Sequence, residues 1–223
     1  VGFINCRECG HVIKCPHCDI SLTAHNNGRL VCHYCGYTEP DKKLCPKCGS
    51  KYIGGFKVGT EKIEQAVKEA FPAARVLRMD LDATKGKERH EKILEEFSSG
   101  NADILVGTQM IVKGHDFPNV TLMGILLADL SLYSSDFRAQ ERTFELLTQA
   151  AGRAGRGDKR GNVIIQTYDP SHYSIQTAMK HDYDAFYEQE IMYRELMDYP
   201  PVSNLLTVKV SSKNEQLAHD TPV

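Results

Sequence analysis

The stretch ADILVGTQMIVKGHDFP, residues 102–118, decides how this chain folds. Ile104, Leu105 and Val106 make a short apolar run closed by Gly107. Such a run, bounded by turn residues, reads as a buried strand. A strand apolar on both faces belongs to a parallel sheet covered by helices. The loop after it offers Thr108, Gln109, Lys113, Gly114 and Asp116. It leaves the carboxyl end of the strand, where open α/β sheets bind ligands. Backbone N–H groups and a hydroxyl placed there suit phosphate, although an ordinary strand-to-helix connection has the same outline.

Outward from this stretch the same alternation continues. Residues 60–71 read as a helix with Ile63, Ala66, Val67, Ala70 and Phe71 on one face, Thr60 as its N-cap and Pro72 after its end. Strands are expected over 74–79, 103–106, 121–128 and 161–168. Further helices are expected over 86–97 and 136–154, the latter with Phe144, Leu147 and Ala151 on one face, and 171–198 reads as mostly helical. Strand–helix alternation predicts an α/β fold, a parallel sheet with helices on both faces. Tyr199-Pro200-Pro201 marks a break. Beyond it, Leu206, Val208 and Val210 alternate with polar residues, which reads as a strand opening another domain.

The amino-terminal part is different in kind. All eight cysteines lie between residues 6 and 48, as the pairs Cys6/Cys9, Cys15/Cys18, Cys32/Cys35 and Cys45/Cys48. A CxxC turn presents two sulfurs to one metal ion, and eight thiolates fill two closed zinc sites with none left over. Gly10, Gly36 and Gly49 follow three of the knuckles and can take the positive φ such turns use. Four knuckles can pair in three ways. The 13 residues between Cys18 and Cys32 suit a hairpin, and the five between Cys9 and Cys15 are cramped, so the spacing favours a nested pairing. The sites are structural, because a catalytic zinc keeps an open position. His11, His17, His25 and His33 then read as solvated polar residues, with metal ligation as the rival reading.

Composition sets limits. The net charge of −2 gives no global electrostatic case for nucleic acid. Residues 1–58 carry eight Lys and Arg against four Asp and Glu, an excess that two four-thiolate zinc sites would cancel. The longest apolar run, 122–128, falls far short of the ~20 residues of a membrane helix. Clustered CxxC pairs without a secretion signal read as metal ligands in a cytoplasmic protein, not disulfides. His90-Glu91 lacks a second histidine four residues after His90, which argues against a zinc hydrolase.

One more motif carries chemistry. Residues 149–157 read QAAGRAGRG. Arg153 and Arg156, three residues apart at a glycine-rich helix end, can aim two guanidinium forks at one phosphate. In nucleotide hydrolysis, such a group stabilises charge that develops in the transition state. Arginines at a helix end also complement the helix dipole.

Together, residues 107–120 (GTQMIVKGHDFPNV) and QAAGRAGR resemble motifs V and VI of superfamily 2 DNA helicases. The upstream cysteines and the segments ADLSLY (128–133) and DFRA (136–139) narrow the resemblance to bacterial replication-restart helicases, over essentially the whole chain. The resemblance implies a RecA-like second helicase lobe over residues 51–199, with the end of its first strand at 1–5. A two-zinc, ribbon-like module would occupy 6–50, and a truncated carboxyl-terminal domain would begin at 200–223. It assigns Cys6, Cys9, Cys45 and Cys48 to one zinc, and Cys15, Cys18, Cys32 and Cys35 to the other.

By the same resemblance, Gln149, Arg153 and Arg156 face the ATP γ-phosphate. Gly152, Gly155 and Asp116 lie on the nucleotide side, and Thr108, Gln109 and Lys113 near DNA. Implied partners are forked or single-stranded DNA, replication-restart and primosome proteins, and single-stranded DNA-binding protein. The implied activity is ATP-dependent 3′→5′ unwinding that restarts replication at stalled or branched forks.

A motor also needs a P-loop lysine and carboxylates for Mg²⁺. Gly54–Gly59 has the spacing, but Thr60 stands where the lysine belongs. Asp129 ends a strand as a Walker B aspartate would, yet lies between the two motifs. ATP and Mg²⁺ therefore require a first lobe, and this chain alone is predicted not to hydrolyse ATP. The rival reading is a non-catalytic zinc-ribbon scaffold that binds DNA or replication proteins.

Overall fold

The computed structural model describes residues 3–25, 28–55, 59–80, 87–111, 117–134, 136–155, 160–206 and 208. The expected strand through Val210 falls largely outside them.

The cysteine-rich part is built from short antiparallel strands. β1 (Ile4–Cys6) pairs with β5 (Ile53–Gly55), so the chain enters and leaves this part side by side. Between them, β2 (Thr23–Ala24), β3 (Arg29–Val31) and β4 (Thr38–Pro40) form a three-stranded sheet in that order. Isolated bridges from Phe3 to Thr23 and from Lys14 to Ser21 extend the ladder. Strands this short cannot stand alone. What holds them is a small core of Ile4, Ile13, Leu22 and Leu30 with Cys15 and Cys32, flanked by Tyr34, Tyr37 and Ile53.

The rest is α/β. α1 (Thr60–Ala70) leads to β6 (Val76–Met79), and α2 (Lys87–Ser98) to β7 (Ile104–Gly107). β6 and β7 pair in parallel, and both helices pack on β6. A 3-10 turn, Gln109–Ile111, follows β7. β8 (Leu122–Ile125) pairs in parallel with β9 (Asn162–Ile165) across α3 (Asp129–Leu132) and α4 (Ala139–Ala151). Parallel pairing thus comes as two pairs among the described residues. α5 (Tyr173–Lys180) and α6 (Tyr183–Leu196) close the fold.

Its main core gathers Leu132, Phe144, Leu147, Ile175 and Phe186, with Ile125 and Ile165 packing from the strands. The Phe144 and Phe186 rings stack at 4.3 Å, joining α4 to α6. Each such fully buried side chain contributes about 1.5–3 kcal/mol.

Several expectations are corrected. Gly59, not Thr60, is the N-cap of α1; Thr60 is already helical, and its hydroxyl donates to the Asp80 carboxylate. The expected apolar face of α1 is mostly solvent-facing, with Ala66, Ala70 and Phe71 exposed and only Ile63 and Val67 half-buried. Glu64 shares that half-buried face because Arg78 and Lys68 pair with it, at 3.0 and 2.7 Å. β8 stops at Ile125 rather than continuing to 128, because Leu127 adopts φ 56° and turns the chain into α3. The 171–198 stretch is mostly helical as read, in two helices separated where His181 takes φ 54° and the Asp182 side chain caps α6 by accepting from Ala185 N at 3.0 Å.

Candidate metal centres and motif cleft

All four knuckles share one backbone pattern. The N–H of the residue after the second cysteine donates to the carbonyl of the first: Gly10 to Cys6, Asp19 to Cys15, Gly36 to Cys32 and Gly49 to Cys45, at 2.8–3.0 Å. Each of these residues has positive φ, including Asp19 at 51°. Aspartate is among the few non-glycine residues that tolerate this region. Sequence reasoning missed that Asp19 does the work of the three glycines. Its carboxylate also pairs with Lys14 at 2.9 Å.

The knuckles pair in the nested way. Cys6, Cys9, Cys45 and Cys48 bring their sulfurs within 4.8 Å of one another, and so do Cys15, Cys18, Cys32 and Cys35. The Cys6–Cys48, Cys9–Cys45 and Cys15–Cys35 sulfurs are 3.6, 3.7 and 3.5 Å apart. These are not disulfides. They approach the ~3.8 Å edge of a tetrahedron with ~2.3 Å zinc–sulfur bonds, so the donor set and spacing fit zinc.

The thiols also resist sharing so small a space as anions. Burial pushes Cys18 far up, aided by its hydrogen bond to Cys35 and by the charges of Cys32, Cys15 and Cys35. In the other group the Cys9 backbone N–H holds Cys6 down at about 6. The Ser50 N–H lowers Cys48, but its sulfur neighbours and burial carry it up to about 12. Four thiolates together therefore need a cation.

The module docks on the α/β part through an aromatic seam that the sequence did not reveal. Phe137 and Tyr199 stack at 5.4 Å, and Tyr34 of the third knuckle meets both edge-on, at 6.4 and 5.8 Å. Phe3 lies against Tyr133 at 5.5 Å. The Tyr199 hydroxyl donates to the Cys18 carbonyl at 3.0 Å. Behind the seam, Arg194 sits 5.4 Å from the Phe137 ring and donates to Glu190, Glu141 and the Pro200 carbonyl. Tyr133, Phe137 and Tyr173 are thus packing residues, Tyr173 donating to Glu190 at 2.7 Å. The only sequence signal for the seam was Tyr199 ahead of Pro200-Pro201, which reads as a break but serves as an anchor.

The two motifs meet at a cleft of about 470 Å³ lined by Gln109, Leu130, Ser131, Arg142, Glu145 and Gln149, among others. Gln109 arrives from the turn after β7, and Gln149 from the last turn of α4. Gly107 is required where that first turn begins: an added Cβ would lie 2.5 Å from the Met79 carbonyl oxygen and 2.8 Å from the Ile111 side chain.

Thr108 is exposed beside Gln109, and Gly152 caps α4. Arg153, half-buried, follows with its N–H donating to Ala150 O at 3.0 Å. Gly155 has φ 76°, donates to Val120 O, and crosses Gly161 so closely that a Cβ would come within 2.3 Å of the Gly161 nitrogen. Arg156, Lys113 and Asp116 lie outside the described residues. Asp129 is occupied structurally, accepting from Thr167 Oγ1 and Tyr168 N at 3.1 Å, which leaves it no Walker B role. Gly54 and Gly55 of the P-loop-like spacing lie in β5.

The parallel strand pairs, the motif cleft and the two tetrads describe an α/β lobe joined to a cysteine-rich metal module. Residues 56–158 match the helicase conserved C-terminal domain, and residues 15–40 match the PriA DNA helicase Cys-rich region domain. The chain belongs to the PriA family of replication restart proteins. It is 53% identical to replication restart protein PriA of Bacillus subtilis over 98% of this chain and 28% of that protein. The Synechocystis PriA is 45% identical, over 98% of this chain and 27% of its own length. For Haemophilus influenzae PriA the values are 40%, 96% and 30%. The chain therefore spans less than a third of these relatives. No described helix is long and apolar enough to cross a membrane.

Proposed function

We propose that this chain is the second motor lobe and zinc module of an ATP-dependent 3′→5′ DNA helicase that binds stalled or branched forks and restarts replication. In this reading the module spans residues 6–50, the lobe 51–199 with the end of its first strand at 1–5, and a further domain begins after 200. The meeting of Gln109 and Gln149 at one cleft carries the reading, because it joins the two motifs on one surface.

Each tetrad holds one structural Zn²⁺. Bound ATP supplies the phosphoanhydride whose cleavage powers movement, with Mg²⁺ and a P-loop contributed by a first lobe. Arg153 and Arg156 present planar, permanently charged forks to the γ-phosphate, and Gln149 orients beside them. Gly152 ends α4, and the Gly155–Gly161 crossing fixes the turn that carries Arg153. Asp116 contacts the nucleotide. Thr108, Gln109 and Lys113 contact the DNA strand. The partners are DNA and the proteins of replication restart and primosome assembly, single-stranded DNA-binding protein among them, in the bacterial cytoplasm. The chain by itself does not turn over ATP.

Arg153→Ala and Arg156→Ala in the intact protein test this. Each should abolish DNA-stimulated ATP hydrolysis while zinc content and thermal stability are retained. Hydrolysis at the unmutated rate in both variants would favour the scaffold reading.

A further inference from the structure

Two histidines left over by the tetrads face each other. His25 follows β2, and His33 sits in the third knuckle, next in sequence to Cys32. Both are exposed. Their Nε2 atoms are 3.3 Å apart and their ring centroids 5.2 Å, with the planes inclined at 52°.

Both distances bear on what lies between them. Around a tetrahedral ion with metal–nitrogen bonds of ~2.05 Å, two nitrogens stand about 3.3 Å apart and their ring centroids about 5.2 Å. A straight N–H···N hydrogen bond of the same length, the favoured geometry, would set the centroids about 5.6 Å apart. The centroids stand closer than a straight hydrogen bond would set them and match the spacing of two imidazoles on one ion.

We infer that His25 and His33 form a third, surface metal site that binds one divalent late transition-metal ion, Zn²⁺ or Ni²⁺, through the two imidazole Nε2 atoms. Neutral imidazole is a borderline donor suited to these ions. Solvent completes the coordination, so the site exchanges its ion readily, unlike the closed tetrads. An ion there ties the end of β2 to the third knuckle, beside the ribbon tetrad.

The test uses the chain as isolated and adds Zn²⁺ alone, following bound metal per chain by equilibrium dialysis and elemental analysis. The count before addition tests the tetrads: two zincs are expected, and fewer would count against that reading without touching this one. Added Zn²⁺ should then fill one further equivalent at micromolar concentration. His25→Gln and His33→Gln should each keep the original zincs and lose the added one. NMR of the unmutated protein gives the same answer without a substitution: the ring protons of His25 and His33 should shift together as the equivalent fills. No further equivalent, or one retained in both variants with those ring protons unmoved, overturns the site.

Discussion

Replacing Arg194 with Leu tests the contact that ties α6 to the motif helix α4 behind the aromatic seam. The guanidinium is only 10% exposed, and it donates to Glu190 at 2.8 Å, Glu141 at 2.7 Å and the Pro200 carbonyl at 2.8 Å. Glu190 is itself 7% exposed, so Leu strands a buried carboxylate with Tyr173 as its one remaining partner among these bonds. Breaking a buried pair from one side costs about 3–5 kcal/mol, and the surviving Tyr173 bond argues for the lower end. The Glu141 arm adds little: that side chain is 40% exposed, and exposed pairs are worth under about 1 kcal/mol.

Arg194→Leu should therefore cost about 3 kcal/mol, and Glu141→Gln under about 1 kcal/mol. With an m-value of about 2 kcal/mol/M, the Arg194 variant's urea midpoint should fall by about 1.5 M. The chain has no tryptophan, so far-UV circular dichroism is the probe. Adding Glu190→Gln to Arg194→Leu should recover part of the loss, since the charge is then gone from both sides. A loss under about 1 kcal/mol for Arg194→Leu, with no recovery in the double variant, would refute the idea that this network holds α6 to α4.

Three other outcomes are expected. Chelation that removes two zincs per chain should free eight titratable thiols and unfold the module, read by thiol titration before and after chelator. Burial holds His172 down to about 4 against an ordinary 6.5, over the raising influence of Asp169. The unfolded chain thus takes up the proton first, so up to about 3 kcal/mol of stability, complete above pH ~6.5, should drain away as the pH falls toward 4. His172→Asn, which can still cap α5, should flatten that slope in pH-dependent urea melts. Gly155→Ala should disrupt the motif turn, because its Cβ would strike the Gly161 backbone and its φ is 76°; in the intact protein, ATP hydrolysis should fall with it.

What the sequence disclosed was local. Knuckles are closed by bonds between residues four and five apart, so CxxC spacing and the 13-residue hairpin were enough to foresee the nested tetrads. Apolar runs likewise marked β6, β7, β8 and β9. Their ends were less legible, because Leu127 and His181 break the chain with left-handed conformations that apolar patterning does not encode. The face of α1 misled for a related reason: periodicity shows which residues share a side, not whether anything covers it. The aromatic seam was illegible, since Phe3, Tyr34, Phe137 and Tyr199 come from four distant parts of the chain and meet only in three dimensions. At the cleft, the motifs announced Gln109 and Gln149, but only the fold shows that one cleft holds both.

β1 and β5 pair residue for residue, Ile4 with Gly55 and Cys6 with Ile53. The module therefore hangs from two adjacent strands, like a page from its binding. Its interior can lengthen, shorten or be exchanged over evolution without altering the separation the neighbouring α/β part must span. The drift is bounded where the module leans back on Tyr133, Phe137, Tyr168 and Tyr199, so those aromatic positions and the two strands of the hinge should change more slowly than the loops between the knuckles.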